Sequence, residues 1–119
     1  MGSSEDISIK QAQQEVVNFL EERGKDWTQV NNRFYLFTHM IEEIGELARH
    51  IINVELKLSL NRTSIEPMPR KEILAQIEDD LGDIFYHILK LAVVYDINLA
   101  NAFRKAMLNI KGRYSMKGI

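Results

Sequence analysis

The 119-residue sequence contains no cysteine and only two prolines. Without thiols the chain can form no disulfide and can use no thiolate as a nucleophile or metal ligand. The sequence also lacks an apolar run long enough to span a bilayer, because its most apolar region, 84–94, is interrupted by His87 and Lys90. The polar N-terminus does not resemble a signal peptide. We therefore expect a cytoplasmic protein that does not contact membranes.

The charge balance is close to neutral but unevenly distributed along the chain. The formal net charge is −2, which argues against general polyanion affinity, so no nucleic-acid partner is expected. No acidic residue follows Asp96, and the remainder of the chain is basic. With 45% hydrophobic and 27% charged residues, the composition is that of a globular protein. Its length predicts a single domain over 1–119, with residues 1–7 disordered or left over from cloning.

Apolar spacing and capping signals predict four helices and no sheet. Ser8–Gln11 reads as a capping box that opens the first helix, and Gly24 as its C-terminal stop. Two long helices follow, at about 33–58 and about 69–95, separated by a proline-containing loop. Asn98 is a good N-cap for a fourth helix that is expected to end near 111–112. We predict an all-α bundle in which the two long helices pack antiparallel.

Two clusters of carboxylates interrupt the apolar patterns of the long helices. Glu42, Glu43 and Glu46 fall on one side of the second helix, because residues advance by about 100° each. Asp80 and Asp83 form an i, i+3 pair on the third helix. Antiparallel packing can bring the two clusters together, and their mutual repulsion then requires a cation. Mg²⁺ is the natural occupant of a site built from oxygen ligands.

These segments resemble a known enzyme family. Residues 42–47 and 80–83 are similar to the EExxE…ExxD signature of the MazG-type nucleotide pyrophosphohydrolases, members of the all-α NTP pyrophosphatase superfamily. Glu22–Gly24 with Trp27, and the segment 109–113, also look like the family. The similarity runs from about Ile9 to Tyr114. It implies Mg²⁺-dependent hydrolysis of a nucleoside triphosphate to the monophosphate and pyrophosphate, by a homodimer or a dimer of dimers.

The resemblance also implies roles for individual residues. Four acids match metal ligands: Glu43, Glu46, Asp80 and Asp83. Glu42 and Glu46 are both candidates for the catalytic base, and the sequence does not separate them. Lys111 and Arg113 match cations that meet phosphate oxygens, with Asn109 a polar contact beside them. In one departure, Asp80 stands where the family usually has glutamate, so its ligand is one methylene shorter.

Several other interpretations remain open. Trp27 could stack on a nucleobase or close the top of the core. The segment Asp83–His87 looks similar to the DxxYH segment of phosphoribosyl-ATP pyrophosphohydrolases, and Asp80 is compatible with a non-catalytic helical dimerisation module. A di-iron bundle needs Glu-x-x-His spacing, which His50 and His87 miss by one position. The three histidines are expected to be packed or partly exposed residues rather than ligands.

Overall fold

A computed structural model describes residues 6–24, 30–60 and 71–116 of the chain. These residues form four helices: α1 (Ile9–Arg23), α2 (Val30–Leu60), α3 (Lys71–Val94) and α4 (Leu99–Met116). The described ranges contain no strand, which confirms the all-α prediction. None of the helices described is both long and apolar enough to cross a membrane. Trp27, the loop between α2 and α3, and the first five residues lie outside the described ranges.

The chain divides into two compact units. One unit combines Met1–Gln29 with Leu89–Ile119, and the other is Val30–Ile88. The boundary therefore falls within α3, whose first part belongs to the second unit. Both acidic clusters lie in the unit Val30–Ile88, whereas the basic residues of α4 lie in the other unit.

In the first unit, the predicted ends of α1 are confirmed. The Gln11 N–H donates to Ser8 Oγ at 3.0 Å, and the Ser8 N–H donates to Gln11 Oε1 at 2.7 Å, which completes the capping box. Gly24 ends the helix with a φ of 72°, in the left-handed region. Its N–H donates to the carbonyls of Leu20 and Glu21, as expected for a glycine that closes a helix.

The start of α4 also follows the prediction, and α1 reinforces it. The Asn101 N–H donates to Asn98 Oδ1 at 3.0 Å, so Asn98 is the N-cap. Gln13 of α1 donates to the Ile97 carbonyl at 2.7 Å and accepts from the Leu99 N–H at 3.1 Å. These bonds satisfy backbone groups at the turn before α4. The buried apolar side chains of this unit are Ala12, Val16, Leu20, Leu89 and Ala92.

The predicted end of α4 is wrong, because the helix continues past Gly112 to Met116. Glycine ends a helix where the backbone turns into the left-handed region, and Gly112 does not have a positive φ. The ends of α2 and α3 differ from the predicted ends by only a few residues.

The second unit exposes much of its apolar surface. Only Leu36 and Ile84 among its described hydrophobic side chains are buried. The larger exposed ones on α2 begin with Phe34, at 68%, and continue along the helix: Tyr35, Phe37, Ile41, Ile44, Ile51, Ile52 and Leu56. Those on α3 are Leu74, Leu81, Phe85 and Ile88. The aromatic residues Phe34, Tyr35, Phe37 and Phe85 are therefore outside the core of this unit.

Candidate functional site

The two acidic segments lie inside α2 and α3, so helical geometry fixes the directions of their side chains. Glu43 and Asp80 are partly buried, whereas Glu42, Glu46 and Asp83 are exposed. The side chains of Glu43 and Asp80 retain only 19% and 14% of their accessible surface. A carboxylate that is withdrawn from water to this extent needs a hydrogen-bond donor or a cation nearby.

Glu43 lies in a cluster with two histidines. Its Oε1 is 3.5 Å from His39 Nε2, one helical turn earlier on α2, and 3.9 Å from His87 Nε2 of α3. The three potential ligand atoms all lie within 4.8 Å of one another. His87 is buried and His39 is 42% exposed, so the cluster extends from the interior of the unit to its surface.

Asp80 makes a direct contact with the third histidine. Its Oδ2 is 2.8 Å from His50 Nδ1, within hydrogen-bonding distance. His50 lies on α2 and Asp80 on α3, and both belong to the same unit, so this contact joins the two helices. The bond orients the carboxylate and satisfies one of its oxygens.

Four residues of α2 share one stripe of the helix surface. At about 100° per residue, His39, Glu43, Glu46 and His50 fall within about 60° of one another. Three of them make the contacts with α3 residues or with each other given above. On α3, Asp80, Asp83 and His87 are likewise confined to about 60°. The exposed apolar stripe of α2, which includes Ile41, lies on the opposite side of the helix.

The donor atoms on these stripes are suited to a divalent cation. Carboxylate oxygens are the ligands that Mg²⁺ prefers, and two of them are partly buried on neighbouring stretches of two helices. The chain has no cysteine whose thiolate would favour a softer ion. The set therefore fits the cation expected from the sequence, with Glu46 and Asp83 on the same stripes as Glu43 and Asp80.

The predicted substrate-binding residues of α4 belong to the other unit. Asn109, Lys111 and Arg113 are all exposed, as a side chain that binds a phosphate must be. Asn109 and Arg113 line a hollow on the surface of α4 together with Gly112. Trp27 lies outside the described residues, so the structure does not choose between stacking on a nucleobase and closing the core.

The grouping of His39 and His87 with Glu43 was not predicted from the sequence. One half of it was visible, because His39 and Glu43 are spaced i, i+4 and such residues are neighbours on a helix. The approach of His87 to Glu43 depends on the register between α2 and α3, which cannot be predicted from a local sequence pattern. The contact between His50 and Asp80 has the same origin.

Comparison with known proteins identifies the family. A sequence model of the MazG nucleotide pyrophosphohydrolase domain matches residues 34–116, a span that includes both acidic segments and all of α4. Searches of curated proteins and of solved structures returned no significant match. The family match covers more than half of the chain, and with the two acidic helices it shows that this chain belongs to the MazG nucleotide pyrophosphohydrolase domain family.

Proposed function

We propose that the chain hydrolyses nucleoside triphosphates to nucleoside monophosphates and pyrophosphate in a Mg²⁺-dependent reaction. The observation that carries this proposal is the pair of partly buried carboxylates, Glu43 and Asp80, one from each acidic segment within the family match. Each carboxylate faces a histidine of the other helix, His87 and His50 respectively. Both acidic segments therefore lie where α2 and α3 contact each other in the second unit.

The proposed arrangement of the long helices is antiparallel. The pairs Glu43–His87 and His50–Asp80 support it, because the later residue of α2 meets the earlier residue of α3. In an antiparallel pair, Glu46 and Asp83 fall between these two contacts. We propose that Glu43, Glu46, Asp80 and Asp83 together hold the metal.

In the proposed reaction, a water molecule attacks the α-phosphorus and the bond to the bridging oxygen of the β-phosphate breaks. Mg²⁺ held by the carboxylates of α2 and α3 would neutralise charge on the phosphate oxygens and would lower the pKa of a bound water. Glu42 and Glu46 are both exposed and are the two candidates for accepting the proton of the attacking water. The departing pyrophosphate carries the electron pair of the broken bond away with its negative charge.

Asn109, Lys111 and Arg113 are proposed to bind phosphate oxygens. Lysine and arginine neutralise the charge that develops on a leaving pyrophosphate, and an amide adds a polar contact. Their exposure on α4 and the family resemblance of this segment support the assignment. Trp27 is kept as a candidate for stacking on the base.

We propose a homodimer, or a dimer of dimers, as the functional assembly. Its support is the apolar stripe of α2, where Phe34, Phe37, Ile41 and Ile44 remain 42–68% exposed. Monomers rarely leave so many large apolar side chains of one helix face in water. The proposed partners are thus a second copy of the chain and a nucleotide, with no nucleic acid, and the proposed location is the cytoplasm.

A nucleotide-panel assay tests the proposal. Purified protein is incubated with each ribo- and deoxyribonucleoside triphosphate, with and without Mg²⁺, and pyrophosphate release is measured. We expect release from at least one nucleotide only when Mg²⁺ is present. Glu46→Gln should lower kcat/KM at least about 100-fold, because it removes a metal-facing charge at nearly constant volume.

The matched control is Glu55→Gln, which makes the same chemical change at an exposed position of α2 outside the acidic motif. This variant should retain the wild-type rate. Release of inorganic phosphate instead of pyrophosphate would contradict attack at the α-phosphorus. Equal activity of Glu46→Gln and wild type would eliminate the proposed metal site.

A further inference from the structure

His39, Glu43 and His87 form a ligand set that differs chemically from the carboxylate set of the proposed hydrolysis. Two imidazole nitrogens and one carboxylate oxygen suit borderline ions such as Zn²⁺ or Co²⁺, whereas Mg²⁺ prefers oxygen ligands alone. We propose that these three side chains bind one transition-metal ion of the Zn²⁺ class per chain. The proposal goes beyond nucleotide hydrolysis and stands without it, although Glu43 belongs to both ligand sets.

The distances between the three potential ligand atoms are longer than hydrogen bonds and close to those between the ligands of a zinc ion. Glu43 Oε1 is 3.5 Å from His39 Nε2 and 3.9 Å from His87 Nε2, both longer than a nitrogen–oxygen hydrogen bond of about 2.7–3.2 Å. Ligand atoms of a tetrahedral zinc site with bonds of about 2.0–2.1 Å lie about 3.4 Å apart. The three atoms, now within 4.8 Å of one another, would reach these separations if the most distant pair approached by at most about 1.4 Å, or about 0.7 Å for each atom.

The rings around the cluster limit how far the imidazoles can turn. The His39 and His87 ring centroids are 4.8 Å apart, and the ring planes are inclined by 59°. Tyr35 flanks His39 at 5.8 Å, and Tyr86 flanks His87 at 5.3 Å, between centroids. Each imidazole therefore has an aromatic neighbour besides the other imidazole, and this packing restricts its rotation.

The cluster extends from a buried histidine to an exposed one. The side chain of His87 is 8% exposed and that of Glu43 19%, so one ligand is buried and a second is partly buried. His39 is 42% exposed and provides the route of entry. Three protein ligands of this kind leave one coordination position open to water or to a substrate oxygen.

A binding experiment on untagged, chelator-treated protein tests the proposal. Co²⁺ is titrated while its visible absorption is recorded, and Zn²⁺ is titrated by calorimetry in the presence of millimolar Mg²⁺. We expect one Zn²⁺ per chain, retained in excess Mg²⁺. His39→Ala should weaken Zn²⁺ binding at least about tenfold, because one direct ligand is lost.

Two further variants keep the test decisive. His87→Asn checks the buried ligand, and circular dichroism of each metal-free variant confirms that it is folded. His50→Asn removes the third histidine, which contacts Asp80 rather than Glu43, and in Mg²⁺-free buffer it should leave Zn²⁺ affinity unchanged within about twofold. In nuclear magnetic resonance spectra of the wild type, Zn²⁺ should shift the imidazole signals of His39 and His87 and not those of His50.

Equal Zn²⁺ affinity of wild type and folded His39→Ala would overturn the site. If His50→Asn weakens Zn²⁺ binding as much as His39→Ala does, the ion binds elsewhere between α2 and α3, and the proposed site is overturned. Because the readout is binding, a protein that fails to hydrolyse any nucleotide can still confirm this site. Conversely, a protein that hydrolyses nucleotides without binding Zn²⁺ would refute only this proposal.

Discussion

Replacing Ile41 by glutamate is expected to separate the proposed dimer into monomers. Ile41 is 50% exposed in the middle of an apolar stripe on α2, with Phe37 one turn before it and Ile44 one turn after it. The side of α2 that carries Glu43 and His50 is directed elsewhere, so the substitution should leave the contacts with α3 intact. The apolar stripe is the surface that a second copy would cover.

The expected weakening follows from the exposed fraction. Burying a whole isoleucine side chain contributes about 1.5–3 kcal/mol, so burying the exposed half of Ile41 contributes about 1 kcal/mol. A twofold interface contains this residue twice, which makes the loss about 2 kcal/mol before the cost of desolvating two carboxylates is added. The dimer dissociation constant should therefore rise at least about 30-fold.

Sedimentation equilibrium over a concentration series measures this constant. Asn53→Glu is the matched control, because Asn53 is exposed, lies about 120° around α2 from Ile41, and receives the same charge without losing apolar surface. The control should change the dissociation constant by no more than about threefold. An Ile41→Glu protein that dimerises as tightly as wild type would refute the assignment of this stripe.

The remaining predictions concern the site and the helices. Asp80→Asn should lower kcat/KM for pyrophosphate release at least about 100-fold, whereas Asp80→Glu, the residue usual in the family, should stay within about tenfold of wild type; equal losses would argue against a ligand role. His50→Gln should raise the Mg²⁺ concentration for half-maximal rate about 10–100-fold, measured by Mg²⁺ titration, because His50 Nδ1 orients Asp80 at 2.8 Å. Leu36→Ala should lower the free energy of unfolding by about 2–5 kcal/mol in urea titrations, since Leu36 is 1% exposed. Gly24→Ala should lower the free energy of unfolding by about 1 kcal/mol in the same titrations, because φ at Gly24 is 72°. Gly112→Ala should raise the free energy of unfolding by about 0.5–1 kcal/mol, because Gly112 is helical and has open space at its Cβ position. Changes of the same sign for both variants would contradict the assigned backbone conformations.

The helix ends that the sequence predicted correctly are those set by local hydrogen bonds. Ser8 with Gln11, and Asn98 with Asn101, interact over three residues, so the residue types at that spacing are sufficient evidence. The end of α4 was mispredicted because glycine permits a helix to stop without requiring it. The bonds of Gln13 across the turn before α4 join residues far apart in sequence and have no local signature.

The candidate site divides in the same way. The acidic residues could be selected from the sequence, since carboxylates spaced for one helix face stand out in an apolar pattern. Which of them would be partly buried could not be predicted, because Glu43 and Asp80 each approach a histidine of the other long helix and the register between the helices decides these pairs. The histidines were expected to be packed or partly exposed, and the structure adds that each of them faces an acid.

The two stripes of α2 allow the assembly and the chemistry to be tested separately. Glu43 and Asp80 each contact residues of their own chain, so the proposed metal site draws its partly buried carboxylates from one protomer. A monomeric Ile41→Glu protein should then retain Mg²⁺-dependent binding of the nucleotide at the wild-type level, as measured by equilibrium dialysis. If binding is lost only in the monomer, a second copy must supply part of the substrate site, and the exposed residues Lys111 and Arg113 of that copy become the first to examine.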